Sequence, residues 1–366
     1  MRTWLRRLGT LLLFLLVGLC FAPSLVPPFL DRIYYEGPRS DHFDGERFFN
    51  PAPGPASVVH GGPARFMNRF IASSERAQWP DRVPVTPTVP PRRVEGEEML
   101  VTWIGHATVL VQTRGLNILT DPIWSERASP FGTIGPKRVR APGVRFDDLP
   151  RIDLVLVSHN HYDHMDLPTL KRLWRRDRPT IVTSFGNDTI LKGAGIDVVA
   201  LDWGGGYSIA SLCPPERPCG EIDLWVERNH HWSARWGTDR NRALWSAFTV
   251  RLRGGNIFFA GDTGYGDGSW AEAAARRGPV RLAILPVGAY LPRDVMQANH
   301  MDPEEAVRVF EKLKPGKALG MHWGTFQLTF EGIDDPPRRL AAATRARGIA
   351  DGRFVTTEVG RTFRVP

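Results

Sequence analysis

Nine consecutive residues, Ser158-His159-Asn160-His161-Tyr162-Asp163-His164-Met165-Asp166, hold three histidines and two carboxylates. Imidazole nitrogen beside carboxylate oxygen is a donor set for zinc and related divalent metals. One tetrahedral zinc takes at most four ligands, and a catalytic one keeps a position open. So many donors in one place therefore point to a pair of ions. A solvated polar loop is the bland alternative. The whole chain has only 10 histidines, however, and three in one short loop argue against it.

Such a loop needs an element to hold it. Ile152 to Val157 is a short apolar run rich in Ile, Leu and Val, which reads as a buried strand. The cluster then sits where that strand ends. Three further strand-like runs carry donors at their ends: Asn256–Ala260 before Gly261-Asp262-Thr263-Gly264, Lys317–Met321 before His322-Trp323-Gly324, and Glu221–Arg228 before Asn229-His230-His231-Trp232. Four strand ends presenting His or Asp fit a site built on loops at one rim of a sheet. Alone, His231 or His322 would be an ordinary surface or core histidine; beside the cluster they become ligand candidates. His300 precedes Asp302-Pro303-Glu304-Glu305, a helix start with Pro in the first turn, and the helix 303–313 carries Ala306, Val309, Phe310 and Leu313 at helical spacing. His300 is either a structural loop residue or a group in the site mouth. His106 and Asp121 also fall at strand ends. Asp121 is a candidate partner for the free N–H of a metal-bound histidine, since such partners tune the metal. Tyr162, Trp232, Tyr290 and Trp323 are either pocket walls or core.

These residues carry a resemblance. The cluster at 159–164, Asp262 and His322 resemble the ligand pattern of the metallo-β-lactamase superfamily. Within it the chain resembles the N-acyl-phosphatidylethanolamine-hydrolysing phospholipase D family over roughly residues 99–366. The matching segments include Trp103-Ile104-Gly105-His106-Ala107-Thr108, Leu119-Thr120-Asp121-Pro122-Ile123, Gly135-Pro136-Lys137-Arg138, Phe259-Ala260-Gly261-Asp262-Thr263-Gly264-Tyr265, His300-Met301-Asp302-Pro303 and His322-Trp323-Gly324-Thr325-Phe326. The resemblance implies an αββα sandwich of two mixed sheets flanked by helices. It implies two Zn²⁺ ions, with iron or manganese as other occupants. His159, His161 and His231 would hold one metal and Asp163, His164 and His322 the second, with Asp262 bridging; His230 is the rival to His231. Asp163, Asp262 and His300 are the implied catalytic residues, and the implied nucleophile is a hydroxide shared by the metals. The implied activity is release of N-acylethanolamine and phosphatidic acid from a phospholipid substrate. Another hydrolase of the same fold, such as a lactonase or a different phosphodiesterase, would use the same ligands. A non-catalytic lipid-binding protein is a further alternative.

At 366 residues the chain is long enough for one large domain plus an extension. A formal charge of +8 suits anionic partners, membrane phosphates included. No nucleic-acid-binding motif is present, and no nucleic acid is expected as a partner. Lys137-Arg138-Val139-Arg140 is a basic run that could face a lipid headgroup or be plain surface. Arg2, Arg6 and Arg7 precede an apolar stretch from Leu8 to Leu30, so residues 1–30 read as a signal anchor or signal peptide. An uncleaved anchor would leave a single-pass inner-membrane protein with its catalytic domain in the periplasm. Residues 31–98 read as a Pro-rich arm, with 41–45 and 47–51 aromatic enough to dock on the domain at 99–366. The stretch 63–77 would place Phe66, Phe70 and Ile71 on one helical face, against either membrane or domain. Cys213 and Cys219 flank a short loop that a disulfide could close; free thiols are the alternative.

Overall fold

The structure, a computed structural model, describes residues 4, 7–18, 32–51, 69–70, 72, 74–209, 212, 223–236 and 238–366. Among these, 14 strands form two 7-stranded sheets. The first has the order β14-β1-β2-β3-β4-β5-β6, from β1 (Met99–Gly105), β2 (Thr108–Thr113), β3 (Leu116–Thr120), β4 (Leu154–Val157), β5 (Thr180–Ser184), β6 (Val199–Leu201) and β14 (Thr362–Val365). The second has the order β13-β12-β11-β10-β9-β8-β7. Its strands are β7 (Gly206–Ser208), β8 (Asp223–Glu227), β9 (Ala247–Arg251), β10 (Asn256–Phe259), β11 (Val280–Pro286), β12 (Lys317–Met321) and β13 (Phe354–Val355). Both sheets are mixed: β3 to β6 pair in parallel, as do β10 to β13, and the remaining pairs are antiparallel.

Strand period explains the layering. Side chains alternate across a sheet, and in β4 Leu154 and Leu156 enter the core shared with the second sheet, while Val155 and Val157 face the other way. In β2, Val109 and Val111 point into the shared core and Leu110 points out. A strand apolar on both faces must be covered on both. Helix α1 (Leu167–Asp177) supplies the outer cover of the first sheet with Leu170 and Leu173. It starts with a Pro in its first turn and stops at Arg178, whose left-handed φ of 50° and N–H to the Trp174 carbonyl end the helix. Helix α2 is Asn187–Gly193, α3 is Ser269–Ala275, and α4 is Arg293–Met296. Helices α5 (Pro303–Leu313) and α6 (Asp335–Ala346) follow, with α5 burying Ala306, Val309, Phe310 and Leu313 on the second sheet's outer side. The two sheets flanked by helices are the expected sandwich.

The arm also reaches the core. Phe43 and Phe48 are buried in the core, their rings packed on each other and on Tyr35, and Tyr34 donates to Asp239 at 2.8 Å. His42 bonds Asp202 at 2.7 Å and stacks on Trp203. From the stretch 63–77, Phe70 lies edge-on to Phe330 of the domain; Phe66 and Ile71 fall outside the described residues, as do Cys213 and Cys219. Residues 7–18 are helical, with Leu11, Leu13, Phe14 and Leu16 exposed. No helix among the described residues is long and apolar enough to cross a membrane. The expected spanning anchor at 1–30 therefore has no support among the described residues.

Candidate metal centre

Parallel strands of both sheets deliver their carboxyl ends to one rim, where open α/β sheets characteristically place ligands. Asp121 follows β3, the histidine loop follows β4, Asp262 follows β10 and His322 follows β12. Asn229-His230-His231 follows β8, which runs parallel to β10 through the antiparallel β9 between them. The turn before Asp262 depends on glycine. Gly261 has φ of +59°, and a Cβ there would stand 2.7 Å from the Ser158 Cβ and 2.9 Å from the Ser246 carbonyl oxygen. Only glycine lets the Asp262 strand approach the histidine loop this closely. Asp121 and His322 also hold left-handed φ values, 31° and 66°, turning their side chains inward at strand termini.

Two clusters of donor atoms result. In one, His159 Nε2 lies 2.8 Å from His161 Nδ1, and His231 Nε2 lies 3.4 Å from the same atom. In the other, His164 Nε2 and His322 Nε2 are 3.2 Å apart, and Asp163 Oδ2 lies 3.4 and 3.5 Å from them. Asp262 stands between: its Oδ2 is 3.1 Å from His164 Nε2, 3.0 Å from His322 Nε2 and 4.0 Å from His231 Nε2. His230 does not join. Its backbone pairs with Gly264, and its ring lies against Gly266.

The residues fit a pair of cations. Imidazole nitrogens that face one another at contact distance have no proton arrangement satisfying all of them, and a cation at the focus resolves the conflict. The buried Asp262 Oδ1 also has no hydrogen-bond partner, which leaves both oxygens of that carboxylate available. Charge tells the same story. Burial, aided by neighbouring imidazoles, lowers His159 and His231 well below the usual histidine range and His161 to about 3. Burial would lower His322 and His164 too, but Asp262 and Asp163 outweigh it. They push His322 up to about 9 and His164 well above its ordinary value. Despite burial, both carboxylates stay well below the usual range because His164, then His322 and His106, face them. Positive charge is thus wanted where the donors meet.

The outward nitrogens are held as metal-binding histidines require. His164 Nδ1 donates to Asp121 Oδ2 at 2.7 Å, and the same carboxylate accepts from Ser158 Oγ at 2.6 Å and Ser158 N–H at 2.7 Å. Ser158 Oγ in turn meets His159 Nδ1 at 2.9 Å. His231 Nδ1 donates to the Asn299 carbonyl at 3.0 Å, and His106 Nε2 lies 2.8 Å from Asp163 Oδ2.

Residues 116–323 match the family model described as a β-lactamase superfamily domain. The chain is 35% identical over 282 residues to the N-acyl-phosphatidylethanolamine-hydrolyzing phospholipase D 1 of Caenorhabditis elegans, covering 72% of this chain and 75% of that one. This chain belongs to the N-acyl-phosphatidylethanolamine phospholipase D-like family of the β-lactamase superfamily. A second family relative, the mitochondrial N-acyl-phosphatidylethanolamine-hydrolyzing phospholipase D of Saccharomyces cerevisiae, is 33% identical over 265 residues, 71% of this chain and 55% of that one. Solved structures share the fold. A metallo hydrolase from Ignicoccus hospitalis superposes with a TM-score of 0.56 at 20% identity, over 74% of this chain and 99% of that one. A diiron β-hydroxylase from Streptomyces venezuelae gives 0.54 at 23% identity, over 74% and 55%.

In this phospholipase D-like chain three of the candidate metal ligands form the floor of a cavity of about 650 Å³. His161, Asp163, Asp262 and His300 line its base; Tyr162, Trp232, Val295, Met296 and Leu328 line its sides, with Arg240 at the rim. His300 is buried, its Nδ1 lies 3.8 Å from Asp262 Oδ2, and that nitrogen has no hydrogen-bond partner. Burial lowers it to about 4. The helix start after it forms as expected: Asp302 caps the Glu305 N–H, and Glu305 reaches back to the Asp302 N–H. Of the four aromatic candidates, Tyr162 and Trp232 are walls. Tyr290 is fully buried away from the cavity, and Trp323 stacks on Trp103 in the core. Segment 295–299, the end of helix α4 and the turn after it, escapes the sequence reading. It carries no donor-rich motif, and its one signal was proximity to His300.

Two cations of the basic run 137–140, Arg138 and Arg140, turn inward instead of toward a headgroup. Arg138 donates to the carbonyls of Ile123 at 2.8 Å and Ser125 at 3.2 Å, and Arg140 donates to the Gly324 carbonyl at 2.5 Å. Both guanidiniums satisfy loop carbonyls in the interior, leaving Lys137 exposed.

Proposed function

We propose that this chain is a metal-dependent phosphodiesterase acting on N-acyl-phosphatidylethanolamine-like phospholipids. The observation that carries the reading is the apolar-walled cavity whose floor is the double donor cluster. A charged phosphodiester needs the floor, and acyl chains need the walls. Zinc is the proposed occupant, with iron and manganese as alternatives. Bound metals would lower the pKa of water toward neutrality and offset charge on the phosphoryl oxygens.

The chain's own residues do the rest. Asp121 and the Asn299 carbonyl fix the ring orientations of His164 and His231, and His106 fixes Asp163. The unpartnered His300 Nδ1 is placed to hydrogen-bond a substrate oxygen and hold the scissile phosphate over the floor. Arg240 adds positive charge at the mouth. Trp232, Met296 and Leu328 exclude water from around the chains. In the net reaction the bond between phosphorus and the ethanolamine oxygen breaks. Water oxygen ends on phosphorus, and the proton goes to the departing oxygen, giving phosphatidic acid and N-acylethanolamine. The arginine-flanked apolar stretch 8–30 supports a membrane location.

The test incubates the full chain with detergent-dispersed N-acyl-phosphatidylethanolamine and identifies products by mass spectrometry, with Asp262→Asn alongside. Both products from the wild type and neither from the variant is the expected result. No turnover by a protein holding two metals would refute the substrate assignment and keep the metal centre.

A further inference from the structure

Loop 128–136 reads Ala-Ser-Pro-Phe-Gly-Thr-Ile-Gly-Pro, nine residues with no charged group. Its base is closed rather than loose. Ala128 N–H donates to the Pro136 carbonyl at 3.1 Å, Arg138 N–H to the Glu126 carbonyl at 2.8 Å, and the Arg127 guanidinium to the Gly135 carbonyl at 2.6 Å. Within the loop the Ser129 hydroxyl accepts from the Phe131 N–H at 3.1 Å. This braced turn presents Phe131 and Ile134 to solvent at 58% and 68% exposure. Two large apolar side chains held outward by a hydrogen-bonded loop, with cationic Arg127 and Lys137 at its stem, have the character of an interfacial anchor.

The surroundings say what it touches. Ala128 lines the cavity over the metal centre, and Ser129 and Pro130 line a second cavity of about 710 Å³ beside it. That second cavity is rimmed by the exposed Ile33 and Trp236 and by the cations Arg32 and Lys171. Arg32 follows the apolar stretch 8–30 by two residues in sequence, and its guanidinium lies 5.7 Å from the Trp236 ring. The loop, the mouth of the substrate cavity and Arg32 therefore share one locality. A protein partner is poorly matched, since a stable interface needs about 800 Å² per side and the braced tip offers two side chains.

We infer that the 128–136 loop, with Ile33 and Trp236, inserts into an anionic lipid surface and seats the cavity mouth on it, with Arg32, Lys137 and Lys171 meeting headgroup phosphates. The inference rests on the lipid-substrate reading above and names how that substrate arrives.

Hydrogen–deuterium exchange of the full, metal-loaded chain tests it, with vesicles of equal parts phosphatidylcholine and phosphatidylglycerol that contain no N-acylated lipid. Exchange in 128–136 should slow by about tenfold on vesicle addition, while the turn 253–255, at the far end of β10 from Asp262, stays unchanged. A Phe131→Ser/Ile134→Ser variant should lose the slowing and keep its rate on a soluble aryl phosphodiester within about twofold. Unslowed loop exchange in a sample whose residues 7–18 become protected would overturn the inference, as would protection that survives in the double variant. Loop protection that grows with protein concentration in the absence of vesicles would show a second copy as the occupant and overturn it too. Because the vesicles hold no substrate, a protected loop on a protein without phosphodiesterase activity would sink the catalytic reading alone.

Discussion

Both oxygens of Asp121 are taken up by hydrogen bonds, one of them from His164, and replacing it by asparagine should empty half the centre. The carboxylate accepts three hydrogen bonds, at Oδ2 from His164 Nδ1 and Ser158 Oγ and at Oδ1 from the Ser158 N–H, and it is fully buried. An amide has one acceptor oxygen. If its nitrogen takes the Oδ2 place, it opposes the His164 Nδ1 proton, and the ring turns to the tautomer that carries its proton on Nε2. That is the atom facing His322 and Asp262. If the nitrogen takes the Oδ1 place, a buried backbone N–H is orphaned at about 1–3 kcal/mol, and the loop that carries His159 and His164 must shift. Loss of such a supporting partner typically lowers metal affinity 10- to 100-fold, about 1.4–2.7 kcal/mol. The cluster of Asp163, His164 and His322 should suffer first. The cluster of His159, His161 and His231 bonds Asp121 indirectly, through Ser158. Equilibrium dialysis against zinc buffers, with metal content read by plasma mass spectrometry, should give two metals for the wild type and close to one for Asp121→Asn at the same free zinc. Two metals at unchanged affinity in the variant would refute the argument.

Other outcomes follow from the same geometry. Gly261→Ala must adopt a left-handed φ and force a Cβ onto the Ser158 Cβ, so urea melts should show a loss of about 2–4 kcal/mol; a loss below about half a kcal/mol would mean the two loops separate freely. Leu328→Trp narrows the cavity and should raise KM for long acyl chains more than for short ones, in a chain-length series. His42 sits between Asp41 at 2.6 Å and Asp202 at 2.7 Å; burial opposes its charge, but the carboxylates prevail and raise its pKa. Its contribution should be full below the unfolded value of about 6.5 and fade as pH rises through the raised folded value. The stability gap between wild type and His42→Gln should therefore be larger at about pH 6 than at about pH 9 in thermal melts, and a gap that grows with pH would contradict the ion-pair account.

The sequence was most legible where chemistry and period coincide. Leu154–Val157 is a run that only a doubly covered strand can bury, so the loop after it had to lie at a sheet rim, and its donors could be read directly. The helix at Pro303–Leu313 was equally plain, because Asp302, Pro303 and Glu305 are local signals that need no tertiary partner. Arg138 and Arg140 were opaque for the opposite reason. A guanidinium on a loop is ordinarily solvated, and nothing nearby in sequence announces that the Ile123, Ser125 and Gly324 carbonyls lack other donors. Tyr290 and Trp323 fall beside site motifs, as Tyr162 and Trp232 do; which pair becomes wall and which becomes core depends on the left-handed turns at Ala289 and His322. Helix α4 is a single turn, too short for any periodicity to show.

The arm has a consequence for how the chain is made. Asn50 donates to the His231 carbonyl at 3.1 Å and accepts from the Trp245 indole at 3.2 Å, while Phe43 and Phe48 fill the core beside them. These partners lie 181 and 195 residues further along. At about 5–20 residues per second, the arm waits roughly 10–40 s on the ribosome before its binding place exists. Until then its two phenylalanines have nothing native to bury against. Contacts of such sequence separation are slow to form, and here they brace the backbone of a candidate metal ligand. Closure of the arm is therefore a late event in biogenesis, and the backbone of His231, a candidate metal ligand, is braced only after it.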